Sequence, residues 1–155
     1  MKQSAGILLY KFVETELFVL LAHPGGPFWK NKDAGSWSIP KGELNENENP
    51  LDTAIREFQE ETGMLPNGEL LELTPVKLKS GKLVHCWACA MDIDADAIIS
   101  NDFEMEWPPK SGIMRRFPEI DKVGWFTAQD AKQKVNSAQA AFIDELVLKQ
   151  QQINP

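Results

Sequence analysis

Three glutamates, Glu57, Glu60 and Glu61, crowd into five residues of the segment Arg-Glu-Phe-Gln-Glu-Glu (56–61), and a fourth, Glu48, precedes Glu57 by nine positions. Carboxylates this close repel one another, and a folded chain tolerates them most readily with a cation between them. A divalent ion taken up by oxygen ligands, magnesium first among candidates, is the simplest reason to build such a cluster. Magnesium in turn points to a substrate with phosphates. The competing reading is a solvated acidic helix face, which would suffice for an isolated Glu-Phe-Gln-Glu-Glu segment. The lead-in Pro-Lys-Gly-Glu-Leu-Asn-Glu-Asn-Glu (40–48) and the closing Thr-Gly (62–63) argue against it.

The element that must position these carboxylates is legible from local chemistry. Asn49 is a good N-cap, Pro50 suits the first helical position, where its missing N–H costs nothing, and Gly63 supplies a left-handed stop. Leu51, Ala54, Ile55 and Phe58 recur at i, i+3, i+4 and i+7, the stripe of a helix packed on a core. At roughly 100° per residue the stripe is expected to centre near Leu51, with Glu57, Glu60 and Glu61 about 110° round on a shared flank. Arg56 then lies near enough to steer a carboxylate by a charge-assisted hydrogen bond.

The run Gly42, five residues, Glu48, seven residues, Arg56-Glu57-apolar-x-Glu60-Glu61-x-Gly63-apolar resembles the Nudix hydrolase signature at every position from Gly42 to Met64. The flanks are similar to that family as well: an apolar stretch from Ala5 to Tyr10, Trp37-Ser-Ile-Pro-Lys-Gly42 before the box, and Val123-Gly-Trp125-Phe126 far downstream. The resemblance implies an α/β fold, an α/β/α sandwich with a mixed sheet and the box helix beside it, formed by one domain over residues 1–155. It also implies Mg²⁺, with Mn²⁺ able to substitute, on Glu57, Glu60, Glu61 and the backbone carbonyl of Gly42. Arg56 is then expected to orient Glu57 or Glu60, and Glu48 to support as a ligand or hydrogen-bond acceptor.

Family members differ in the carboxylate that deprotonates water: some use a box glutamate such as Glu57 or Glu60, others one on a downstream loop. Glu119, six residues before Trp125, is the first candidate outside the box, with Glu106 and Asp121 as rivals. Lys41, just before the box glycine, is placed to face a phosphate. The implied activity is Mg-dependent hydrolysis of a phosphoanhydride, by water attack at phosphorus, in a nucleoside triphosphate or dinucleoside polyphosphate. The alternatives are an RNA 5′-end pyrophosphohydrolase and a nucleotide-binding module without catalysis. The Pro-Lys-Gly entry resembles diadenosine tetraphosphate and diphosphoinositol polyphosphate hydrolases more than the ADP-ribose group. Lys79 and Ser80 stand where that last group carries proline, and the lone tyrosine is Tyr10, so neither the ADP-ribose marker nor the dinucleoside tyrosine is met.

Whole-chain properties narrow the field. A net charge of −7 argues against a broad footprint on long nucleic acid, though not against a nucleotide. An acidic pI of about 4.9 disfavours the dense basic pocket that inositol pyrophosphates require. No apolar run is long enough for a bilayer, and the start lacks a signal-peptide layout, so a cytoplasmic location without membrane contact is expected. Cys86 and Cys89 resemble a redox or zinc motif, but on a strand residues three apart face opposite ways, so they read as buried structural thiols. His85 reads as a strand residue.

Strands are expected at about 4–10, 16–22, 36–39, 69–78, 82–93 and 122–126, the first two joined as a hairpin through 11–15. The segment 23–35 reads as a long loop near the site. Its Phe28 and Trp29 either stack on a base or cap the core. Residues 100–118 read as irregular, with Arg115 and its neighbour Arg116 as candidates for gripping distal phosphates. A final helical region starts at Thr127 and is expected to pack on the sheet.

Overall fold

In a computed structural model that describes residues 2–153, the apolar run near the start becomes the centre of a sheet. β1 (Gln3–Val13) buries Ile7 and Leu9 on one face and Leu8 on the other, which explains why it lacks polar alternation. Around it the sheet runs β4 (Leu70–Lys77), β5 (Leu83–Ala90), β1, β2 (Glu16–Pro24) and β8 (Ile120–Thr127), and the short β3 (Lys41–Glu43) also pairs with β1. β1 and β5 are parallel and the other pairs antiparallel, so the sheet is mixed.

Helices cover both faces. α1 (Pro50–Thr62) lays Ala54 and Phe58 on Ala5, Ile7, Leu9, Leu20 and Cys89. On the other side α2 (Ala128–Lys134) and α3 (Ala140–Ile153) bring Ala131, Phe142, Ile143 and Leu146 against Leu8, Leu21, Val84 and Cys86. The result is the expected α/β/α sandwich. Cys86 and Cys89 fall in opposite cores, and burial raises both thiols above their ordinary range, so neither is prepared for redox or metal chemistry.

The caps of α1 are as anticipated. Asn49 Oδ1 accepts from the Asp52 amide at 2.9 Å, and Gly63, at φ 77°, donates its N–H to Gln59 O. Four expectations need correction. The β1–β2 turn is tighter than 11–15: Val13 pairs with Glu16, leaving only Glu14 and Thr15 in the turn, with Glu14 at φ 59°. Residues 36–39 form no strand, because Trp37 and Ser38 each make an isolated bridge, to Val135 and Ala22. Pro40, with no N–H to donate, ends any ladder there.

Residues 100–118 are not irregular throughout. They carry a separate two-stranded ribbon, β6 (Asp102–Glu106) and β7 (Met114–Pro118), with Phe103 opposite Phe117. Finally, Leu51 is 36% exposed, so the buried line of α1 runs through Ala54, Phe58 and Glu61 rather than around Leu51. The helix is rotated so that Glu61, near its end, is buried.

Candidate active site

The four box glutamates have four different surroundings. Glu48 is held by Arg56 through two contacts, Nε at 2.8 Å and Nη2 at 2.9 Å, and also accepts from the Thr53 hydroxyl at 2.7 Å and the Asn45 amide at 3.0 Å. These donors, Arg56 foremost, hold its carboxyl down to about 2. The remaining guanidinium nitrogen, Nη1, reaches Glu57 at 2.9 Å and Glu60 at 3.2 Å, and Glu48, Glu57 and Glu60 together raise the Arg56 value. Arg56 thus spans three carboxylates, Glu48, Glu57 and Glu60.

Glu61 differs from the rest. It is 6% exposed, and its Oε2 has no hydrogen-bond partner. Burial, then the charges of Glu57 and Glu119, push its carboxyl up to about 9. The expectation that all three helix glutamates share one flank away from the core is therefore corrected for Glu61: it is inside, Glu57 half-buried and Glu60 outermost. Glu57 is raised by burial first, against the pull of Arg56.

β3 approaches α1 so closely that a Cβ at Gly42 would lie 2.0 Å from the Glu57 carboxyl carbon. Only glycine leaves that space to the carboxylate. Next to it, Lys41 lines a cleft of about 180 Å³ with Glu61 and Glu119, walled by Pro24, Ile39 and Ile120. Desolvation lowers the Lys41 ammonium, with the charge of Lys82 adding to the effect. Glu119 is raised by burial and by Glu60. Four acidic side chains from two distant chain segments therefore converge on one end of the sheet.

Among the described residues no three acidic, histidine or cysteine side chains already close on one point, since Glu57 and Glu60 turn to Arg56 and Glu61 turns inward. The donor set nevertheless fits a hard divalent cation: it is all oxygen, it includes an unpaired buried carboxylate oxygen, and Gly42 keeps the backbone open beside Glu57.

The other candidates are dispersed. Phe28 and Trp29 are 69% and 40% exposed, so neither caps the core, and Lys32 lies over the Trp29 ring. Arg115 stands on β7 opposite Met105, exposed and outside the lining of the cleft. Glu106 accepts from the Lys110 and Gly112 amides and closes the ribbon's turn, while Asp121 contacts His23. His85 is a strand residue bound to Gln3. The sequence reading missed the backbone anchors of Glu119: Asn101 accepts its N–H, and Asn101 donates to the Glu60 carbonyl. Main-chain contacts of this kind leave no trace in residue types.

Fold and site together define an α/β/α protein with a carboxylate-lined cleft at one end of a mixed sheet. A family model described as the NUDIX domain matches residues 2–146. The chain belongs to the Nudix family.

Among curated proteins, the RNA pyrophosphohydrolases of Stenotrophomonas maltophilia (strain K279a) and Xanthomonas campestris pv. campestris (strain B100) are each 41% identical over 59 residues. That match takes in 37% of this chain and only 29% of each relative's length. Among solved structures, a C. elegans Ap4A hydrolase binary complex aligns with a TM-score of 0.66 at 17% identity, covering 94% of this chain and 96% of that one. The NUDIX domain of Shewanella oneidensis NrtR complexed with ADP ribose aligns at 0.62 and 18% identity, covering 96% and 86%. At such identities the structural likeness concerns the fold. No helix among the described residues is long and apolar enough to cross a membrane.

Proposed function

We propose that this chain hydrolyses a phosphoanhydride in a nucleotide, a nucleoside triphosphate or a dinucleoside polyphosphate, with Mg²⁺ held by Glu57, Glu60, Glu61 and the Gly42 carbonyl. Mn²⁺ is expected to substitute. The observation that carries this reading is the buried, unpaired oxygen of Glu61 in one cleft with Lys41 and Glu119. When bound, the cation neutralises phosphate oxygens and makes water easier to deprotonate.

The chain's own groups do the rest. Glu119 takes the proton from the attacking water, its carboxyl raised by burial and by the charge of Glu60. Water oxygen bonds to phosphorus as the bridging P–O bond breaks, and Lys41 balances charge on the departing phosphate. Arg56 keeps Glu57 and Glu60 aligned. Phe28 and Trp29 offer aromatic faces to a base, and Arg115 a cation to a distal phosphate. A panel of nucleoside triphosphates, dinucleoside polyphosphates, sugar nucleotides and capped RNA, incubated with Mg²⁺ and read by product mass, identifies the bond cleaved. Silence across that panel with both Mg²⁺ and Mn²⁺ removes the catalytic assignment.

The 59-residue likeness to RNA pyrophosphohydrolases favours one second reading, removal of pyrophosphate from an RNA 5′ end. Activity on triphosphate-ended RNA that collapses as salt rises, with little turnover of mononucleotides, would select it.

A further inference from the structure

His23 is fully buried where β2 runs into the loop 24–35, and nothing in the proposed chemistry uses it. Its Nε2 lies 2.6 Å from the Lys32 carbonyl, which can only accept, so Nε2 donates. Its Nδ1 lies 2.9 Å from Asp121 Oδ1, and the ring packs edge-on against Trp37. Each polar atom of the ring is therefore committed, which fixes the plane of the imidazole.

The partner of Nδ1 occupies an unusual place. β2 and β8 pair His23 with Lys122 but Pro24 with Ile120, so Asp121 is the extra residue of a β-bulge. A bulge inserts a residue without a ladder partner and re-aims the chain around it. Two positions before it stands Glu119, whose carbonyl accepts from the Gly25 amide at 2.9 Å and whose N–H donates to Asn101 at 2.8 Å. A Cβ at Gly25 would fall 1.9 Å from the Pro118 carbonyl oxygen, so the close approach of these two segments depends on glycine there.

We propose that His23 is a positioning residue for Glu119: by gripping the bulged Asp121, it sets the aim of the Glu119 carboxylate into the cleft with Lys41 and Glu61. The inference rests on the reading of Glu119 as the base. Its structural half, that His23 fixes where Glu119 points, stands apart from that reading.

Two amide substitutions separate the contacts of His23. Asparagine places an N–H where Nδ1 lies and keeps the hold on Asp121, whereas glutamine reaches the Nε2 position and keeps only the Lys32 contact. With diadenosine tetraphosphate as probe, His23→Gln lowers kcat about 30-fold with KM within about twofold, and His23→Asn stays within about threefold of the parent kcat. Asp121→Ala, made from the one-third-exposed side of the pair, matches His23→Gln and guards against a buried variant that fails to fold. In a Glu119→Gln background, His23→Gln costs nothing further.

Crystal structures read the same point without turnover: the Glu119 carboxylate leaves the cleft in His23→Gln or Asp121→Ala and stays in His23→Asn. Full additivity of His23→Gln with Glu119→Gln, or an unmoved Glu119 in both disrupting variants, overturns the proposal. A Glu119→Gln protein as active as the parent overturns the base assignment instead, and the crystal comparison still decides the role of His23.

Discussion

Glu48 and Glu61 are carboxylates of the same box and neighbours of the same helix, yet the fold treats them in opposite ways. Glu48 collects four hydrogen bonds, two from Arg56, and is held at about 2. Glu61 collects none at Oε2, is shut away from water, and is pushed to about 9. A fully satisfied carboxylate contributes to stability, whereas an unsatisfied buried one costs stability unless a ligand completes it. The difference sets a fully paired carboxylate apart from an unpaired one within 14 residues, a distinction that residue type alone cannot make.

Breaking a helix carboxylate proposed as a metal ligand has the largest expected effect. Glu61→Gln, or Glu60→Gln, lowers turnover by about 10³-fold or more in steady-state assays while circular dichroism stays native. A variant with near-parental turnover would remove that residue from the ligand set.

The pH dependence of the chelator-treated protein sharpens the contrast. For Glu61 the folded carboxyl lies above its ordinary 4.5, so its contribution is fully present below about 4.5 and is lost as pH rises towards about 9. For Glu48 the folded value lies below 4.5, so its contribution is present above about 4.5 and is lost as pH falls towards about 2. The melting temperature should therefore peak near the boundary of the two windows and decline on the alkaline side, with Mg²⁺ recovering the alkaline loss. A melting temperature flat from pH 5 to 9 in EDTA, by about a degree, would contradict the unsatisfied state of Glu61.

Breaking the outer member is a question of stability. Glu48→Gln removes the charge that Arg56 holds and should cost about 2 kcal/mol in urea unfolding. The smallest effect belongs to Thr53→Val, which deletes one hydrogen bond to Glu48 and should cost about 1 kcal/mol with kcat nearly unchanged. If Thr53→Val depressed kcat as strongly as Glu60→Gln, Glu48 would belong with the chemistry.

How far residue types reveal structure varied along the chain in a physically sensible way. α1 was readable to the residue because its ends are set by local chemistry: the Asn49 side chain, the Pro50 ring and the left-handed Gly63. The rotation of α1 was not, since the apolar spacing centres on Leu51, whereas the burial of Glu61 is decided by what the helix packs against. The ribbon β6–β7 escaped notice because only Phe103, Met105, Arg115 and Phe117 share its inner face, too short and mixed an alternation to stand out. Residues 36–39 misled for the opposite reason: their composition suits a strand, but their pairing is split between Ala22 and Val135. Glu119 stands out as a candidate through its spacing to Trp125, whereas its anchors at Gly25 and Asn101 are main-chain contacts between distant segments.

Because β8 lies at the outer edge of the sheet and is held on one side only, by β2, warming can peel it before the core opens. Glu119 would leave with that strand, while the α1 glutamates stayed docked on the centre. Heat should then switch the protein off in two stages, the first reversible and invisible to far-ultraviolet dichroism. Amide exchange along 120–127 outpacing that of β1 at temperatures where activity fades would reveal it, and equal protection in the two strands would exclude it.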